Sequence, residues 1–152
     1  MSDLDDIIKK YSENDSKSLS FQYSNIPVLP EKILVLSNLI NLTITNCNLT
    51  KLINLPENLD FLNCSNNNIK TVDNPISDKI KHLNISNNYL ESTNNLGSPE
   101  NLNIGYNKIY ELLNLSSNIK TLNCENNNIE EIGSNIPKNV VELDCNNNSI
   151  QS

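Results

Sequence analysis

The chain contains no tryptophan and no arginine, only one histidine, and three glycines among 152 residues. So few glycines leave no glycine-rich loop to cradle a phosphate, and His82 has no serine or cysteine beside it in a nucleophile motif. A non-catalytic protein without a cofactor is expected. With every basic residue a lysine and a formal charge of −7, the chain lacks the clustered cations that neutralise a phosphate backbone; Lys79 and Lys81 are too few. Nucleic acid is therefore not an expected partner. No apolar run approaches membrane-spanning length, and the opening MSDLDDIIKK is acidic where a secretory leader is basic and then apolar. A soluble, intracellular, cytoplasmic protein with no membrane contact is expected. Sequons at Asn41, Asn63 and Asn84 fall inside expected strands, where glycans would obstruct the sheet. Cys47, Cys64, Cys124 and Cys145 include no C-x-x-C pair, so buried free thiols are expected rather than a metal site; Cys124 and Cys145 should lie on adjacent strands.

What is present is asparagine, and a frame that repeats. LINLTITNCNL (Leu39 to Leu49), LDFLNCSNNNI (Leu59 to Ile69), IKHLNISNNYL (Ile80 to Leu90), IKTLNCENNNI (Ile119 to Ile129) and VVELDCNNNSI (Val140 to Ile150) follow L-x-x-L-x-L-x-x-N-x-L. PENLNIGYNKI from Pro99 and SKSLSFQYSNI from Ser16 are weaker copies. The fourth-position residues Leu19, Leu42, Leu62, Leu83, Leu102, Leu122 and Leu143 set successive spacings of 23, 20, 21, 19, 20 and 21. Alternation within L-x-L sends two apolar side chains to one face and the residue between them to the other, so each copy supplies a short strand. Neighbouring parallel strands stack about 4.8 Å apart, giving a sheet roughly 30 Å long. No copy can bury its leucines alone, so stability is shared between neighbours.

This frame resembles the leucine-rich repeat family, over roughly residues 16–152. The string L-x-x-L-x-x-L-P-x-x-L from Leu49 to Leu59 is similar to the short repeats of secreted bacterial effectors, and the phrasing around Ile129 and Ile132 resembles internalin repeats. The load of asparagine and lysine suggests an AT-rich genome and resembles leucine-rich repeat proteins of amoeba-infecting giant viruses, although protists with such genomes fit as well. The resemblance implies an α/β solenoid: a horseshoe with a parallel sheet on its concave face and repeats that choose a protein partner, in a viral setting a host protein. Some effectors of this kind carry a ubiquitin-ligase domain. No residues here are left over for one, so that reading reduces to a recognition subunit for a ligase supplied in trans.

The inward ladder is expected to run Leu42, Ile44, Leu62, Cys64, Leu83, Ile85, Leu102, Ile104, Leu122, Cys124, Leu143, Cys145. Asn67, Asn88, Asn107, Asn127 and Asn148 hold the ninth position, where a buried amide can satisfy backbone groups leaving the strand; Cys47 replaces the amide once. On the returning side Leu52, Leu55, Leu112, Leu115, Ile132 and Ile136 recur with Pro56 and Pro137 soon after, predicting extended chain or short 3₁₀ turns. Residues 1–15 form a separate unit: acids early, lysines late and Leu4, Ile7, Ile8 and Tyr11 to one side predict an amphipathic helix that caps the solenoid. Residues 27–38 form the longest connection. At the other end Val141, Leu143, Cys145 and Ile150 carry no matching lid, so this edge either frays or pairs with a second copy as a homodimer.

Function is expected on the strand face. Its central row is Ser20, Thr43, Asn63, Asn84, Asn103, Asn123 and Asp144, flanked by Phe61 and His82, with Tyr23 and Tyr106 further out. An exposed phenylalanine beside a histidine fits a partner anchor, or a cover for neighbouring side chains. Asparagines of adjacent strands could also bond to one another and stabilise the sheet. Glu125, Glu142 and Asp144 should gather at one end as a solvated acidic patch favouring a basic partner surface.

Overall fold

The computed structural model describes residues 2–151. Helix α1, Ser2–Glu13, starts with Asp3 and Asp5 and ends with Lys10, complementing its dipole. Ile8 is buried, and Leu4 and Tyr11 pack against the core. Ile7, expected on the same stripe, is 36% exposed. It stands about 100° around the helix from Ile8 and falls at the margin of the contact. Lys32 reaches Asp5 at 2.6 Å, joining α1 to a 3₁₀ helix at Glu31–Val35 inside the long connection.

Seven strands follow in chain order: β1 Ser18–Gln22, β2 Asn41–Thr45, β3 Phe61–Asn63, β4 His82–Asn84, β5 Asn101–Asn103, β6 Thr121–Asn123 and β7 Glu142–Asp144. They form one parallel sheet in that order, with Leu19, Leu42, Leu62, Leu83, Leu102, Leu122 and Leu143 in register. The return segments are irregular chain with short turns apart from Gly133–Asn135, a second 3₁₀ turn; Leu52 and Leu112 are buried there, and Leu55, Leu115, Ile132 and Ile136 partly so. The inward ladder is sealed from Leu42 to Cys124. Its last rung differs: Leu143 is 41% exposed and Cys145 half-buried, because among the described residues no further repeat covers β7.

The ninth-position amides stitch each repeat to the one before. Asn88 Oδ1 accepts the Ile69 N–H at 2.9 Å, and its Nδ2 donates to the carbonyls of Cys64, Ile85 and Ser86. Asn67, Asn107, Asn127 and Asn148 repeat the pattern, each accepting from the preceding repeat and donating to that repeat's sixth-position carbonyl. Cys47 is a reduced version. Its thiol donates to Phe21 O and Thr45 O, and its own N–H is taken by Asn67.

The eighth position carries a feature absent from the repeat pattern. Tyr23, Asn46, Asn66, Asn87, Tyr106, Asn126 and Asn147 all adopt positive φ, between 51° and 57° for these residues. The chain turns out of each strand through a left-handed residue, which asparagine tolerates best after glycine. Asn54, Asn95 and Asn114 do the same on the return side. Asn54 and Asn95 donate to Leu29 O and Val72 O of earlier repeats, both at 2.8 Å. Asparagine is abundant here because several positions of one repeat have separate uses for it.

All four thiols are free; Cys47, Cys64 and Cys124 are buried. Burial pushes Cys64 and Cys124 from an ordinary 9.0 up to about 12, Cys124 with help from neighbouring Cys145 and Asp144. The fold thus favours the neutral thiol, and these groups contribute no pH dependence below about 9. Between pH 9 and 12 the unfolded chain ionises them while the folded chain does not, so stability falls, on the order of 1 kcal/mol per thiol for each pH unit. Urea midpoints across that range should fall less steeply in a Cys64→Val, Cys124→Val protein than in the unaltered one.

Candidate functional site

The outward row is built by the register. Thr43, Asn63, Asn84, Asn103, Asn123 and Asp144 are direct cross-strand neighbours, each half-buried at the middle or end of its strand. Their amides do not form a ladder between strands. Each oxygen instead turns back to an N–H two residues on: Asn63 to Ser65, Asn84 to Ser86, Asn103 to Gly105, Asn123 to Glu125 and Asp144 to Asn146, at 2.9 to 3.1 Å. The β-strands are only three residues long from β3 onward, so the chain is already leaving the sheet at the seventh position. A side-chain carbonyl two residues back is the nearest acceptor, and this local bond wins over a cross-strand one.

The oxygen of Asn84 accepts a second bond, from Ser86 Oγ at 2.7 Å. The Nδ2 groups of Asn63, Asn84 and Asn103 have no partner within the chain among the described residues, whereas Asn123 Nδ2 is held by Glu125 Oε1 at 3.1 Å. Gly105 keeps this stretch open. A Cβ there would come within 3.0 Å of Asn123 Oδ1 and 3.1 Å of the Glu125 side chain.

Beside the row, Phe61 and His82 are cross-strand neighbours with ring centroids 6.4 Å apart at 39°. Asn101 on the next strand donates from Nδ2 to His82 Nδ1 at 2.9 Å, which leaves Nε2 to carry the proton of the neutral ring. Phe61 also borders a depression of about 440 Å³ floored by Ser18, Ser20, Asn41 and Thr43 and closed on its other side by Tyr11. Tyr11 was not legible as a site residue, because its place depends on how α1 docks. A larger cavity, about 560 Å³, lies on the return side between the Leu52 to Glu57 and Asn74 to Ile80 segments, away from the strand face.

Tyr106 and Tyr23 are not strand residues. They occupy the left-handed turn position, 49% and 82% exposed. Glu125 accepts from both Asn123 and Asn126, so its carboxylate is tied to neutral amides. Among the described residues no three His, Cys, Asp or Glu side chains come together as a metal-binding set, and no helix is long and apolar enough to cross a membrane. Val141, at 80% exposure, and Leu143 mark the outer edge of the sheet beside Cys145, with half-buried Ile150 beyond.

No protein-family model matches the sequence, and no curated protein matches it significantly. Among solved structures, YopM from Yersinia enterocolitica WA-314 superimposes with a TM-score of 0.67 at 23% identity, over 95% of this chain and 36% of that one. The fold is that of a leucine-rich repeat solenoid. The chain spans about a third of the length of that structure, and at this identity the likeness concerns architecture.

Proposed function

We propose that this leucine-rich repeat protein is a non-catalytic interaction module that binds a protein partner across its strand face, through Thr43, Phe61, Asn63, His82, Asn84, Asn103, Asn123 and Asp144, with Tyr106 at the rim. The observation that carries the reading is the pairing of a half-buried aromatic, Phe61, with an adjoining depression and a row of uncharged amides whose donors face outward. Aromatic anchors bounded by polar, uncharged surface are the usual composition of an interface centre. Phe61→Ala combined with His82→Ala should abolish capture of the partner from lysate while the circular dichroism spectrum stays unchanged. Retention of the partner by the double variant would refute the reading. If the chain is viral, as its composition resembles, the partner is a host protein met in the cytoplasm.

A second reading has its own support. Val141 and Leu143 are exposed on a strand edge, the arrangement by which parallel sheets extend into another copy. Light scattering at micromolar concentration should then give twice the 17.1 kDa chain mass, reverting to one on Leu143→Lys. A monomeric mass for the unaltered chain rules this assembly out. A ligase-recognition role in trans rests on resemblance to effector repeats alone.

A further inference from the structure

We infer that the occupant of the strand face is a single amphipathic α-helix of the partner, lying along the solenoid axis, with hydrogen-bond acceptors once per turn over β3 to β5. This rests on the interaction reading above and specifies its chemistry.

The central row is not chemically symmetric. An asparagine ordinarily shows both an acceptor and a donor, but here Asn63, Asn84 and Asn103 each spend their oxygen on an N–H two residues on, and Asn84 spends it twice. Both lone pairs are taken at Asn84 and one each at Asn63 and Asn103, while all three NH₂ groups remain for a partner. The result is a strip of donors repeating at the strand spacing of about 4.8 Å. Donors outnumber the acceptors left on the strip, so a bound molecule answers chiefly with acceptors.

Spacing then selects the shape. Side chains on one face of an extended peptide recur every two residues, about 6.7 Å, so over the two steps from Asn63 to Asn103 the mismatch grows to about 4 Å. Side chains one helical turn apart recur at about 5.4 Å, leaving a mismatch near 1 Å over the same two steps, within side-chain reach. Glu, Asp, Gln or Asn at successive turns of a helix therefore meet the three amides in register.

The ends of the face fix direction. Toward β1 and β2 the depression between Tyr11 and Phe61 takes an apolar side chain. Toward β7 the row changes sign, with Asp144 on it and Glu142 beside it, and Glu125 next to them on β6's exit. The matching helix carries an apolar residue at one end, acceptors over its middle turns and lysine or arginine at the other end. Six strand spacings correspond to about 29 Å, or roughly 19 residues of helix.

The fold itself shows how to test the donors. Asp144 holds the same row position in β7 and accepts the Asn146 N–H at 3.1 Å, as the asparagines accept theirs, so aspartate keeps the local bond while removing the outward donor. A displayed library of about 19-residue peptides, half on helical and half on alternating strand frameworks, is selected against the full chain and against Asn63→Asp, Asn84→Asp, Asn103→Asp. The expected outcome for the unaltered chain is enrichment of helical peptides with acceptors at i, i+3 or i+4, and i+7. The triple variant should bind these at least tenfold more weakly and enrich lysine or arginine at the same positions. In ¹⁵N spectra the side-chain NH₂ signals of Asn63, Asn84 and Asn103 should shift on adding a selected helix.

Enrichment of strand-framework peptides, no enrichment at helical spacing, or unchanged preference in the triple variant would overturn the inference. Those results are separable from failure of the broader reading: if Phe61→Ala with His82→Ala still loses the captured protein, the face binds a partner of another shape.

Discussion

Replacing Asn107 by alanine should lower the thermal midpoint by roughly 6 to 12 °C, corresponding to about 3 kcal/mol in a domain of this size. The side chain is 9% exposed and serves four backbone groups at once: the Leu90 N–H and the carbonyls of Ile85, Ile104 and Gly105. Alanine leaves the Leu90 N–H without a partner and takes one bond from each carbonyl, which keep only Asn88, Asn127 and the Asn87 N–H respectively, and an unpaired buried group costs more than the bond it formerly made contributes. Asn107→Asp should be at least as damaging, since it keeps the acceptor but loses the donors and adds a charge. Asn103→Ala, four residues earlier in the same repeat, provides the control. It frees only the Gly105 N–H, beside the open face, and a change within about 1 kcal/mol is expected. Calorimetry on the three proteins separates the structural amides from the displayed ones; equal losses at Asn103 and Asn107 would contradict the assignment.

Leu83→Ala should cost about 2 to 5 kcal/mol, and Leu143→Ala less than about 1 kcal/mol, although the two residues hold the same place in the repeat. Leu83 is 2% exposed with a sheet neighbour on each side, and its removal opens a cavity that the flanking turns cannot collapse. Leu143 is 41% exposed and packs on β6 alone. Denaturant titration measures both. A large loss at Leu143 in a monomeric sample would mean that something covers the outer edge.

The strands, their parallel order, the sealed rungs and the ninth-position amides were all legible in the sequence, because leucine spacing and strand alternation leave one arrangement that buries Leu42 through Leu122 together. The uses of the other asparagines were not. In Asn66-Asn67-Asn68 the first is left-handed, the second is a buried five-bond anchor, and the third donates its N–H to Leu49 O, yet the three letters are identical. Tyr106 and Tyr23 take the left-handed turn position that asparagine holds in the other repeats, which their letters do not announce. The orientation of the row amides depended on strand length, which the frame does not encode. The depression walled by Tyr11 depended on docking between elements far apart in sequence, for which no local pattern exists.

The amide stitching has a direction. Each anchor belongs to the later repeat and closes the turn of the earlier one, so Asn148 secures Ile129 and Cys124, and Asn127 secures Ile109 and Ile104. Tension applied at the carboxyl terminus would therefore detach one coil at a time, each release exposing the turn that the next anchor had been guarding. Pulled from the amino terminus, the same anchors stay folded within their own coils and surrender only their targets. A solenoid fastened in this way should peel more readily from one end than from the other.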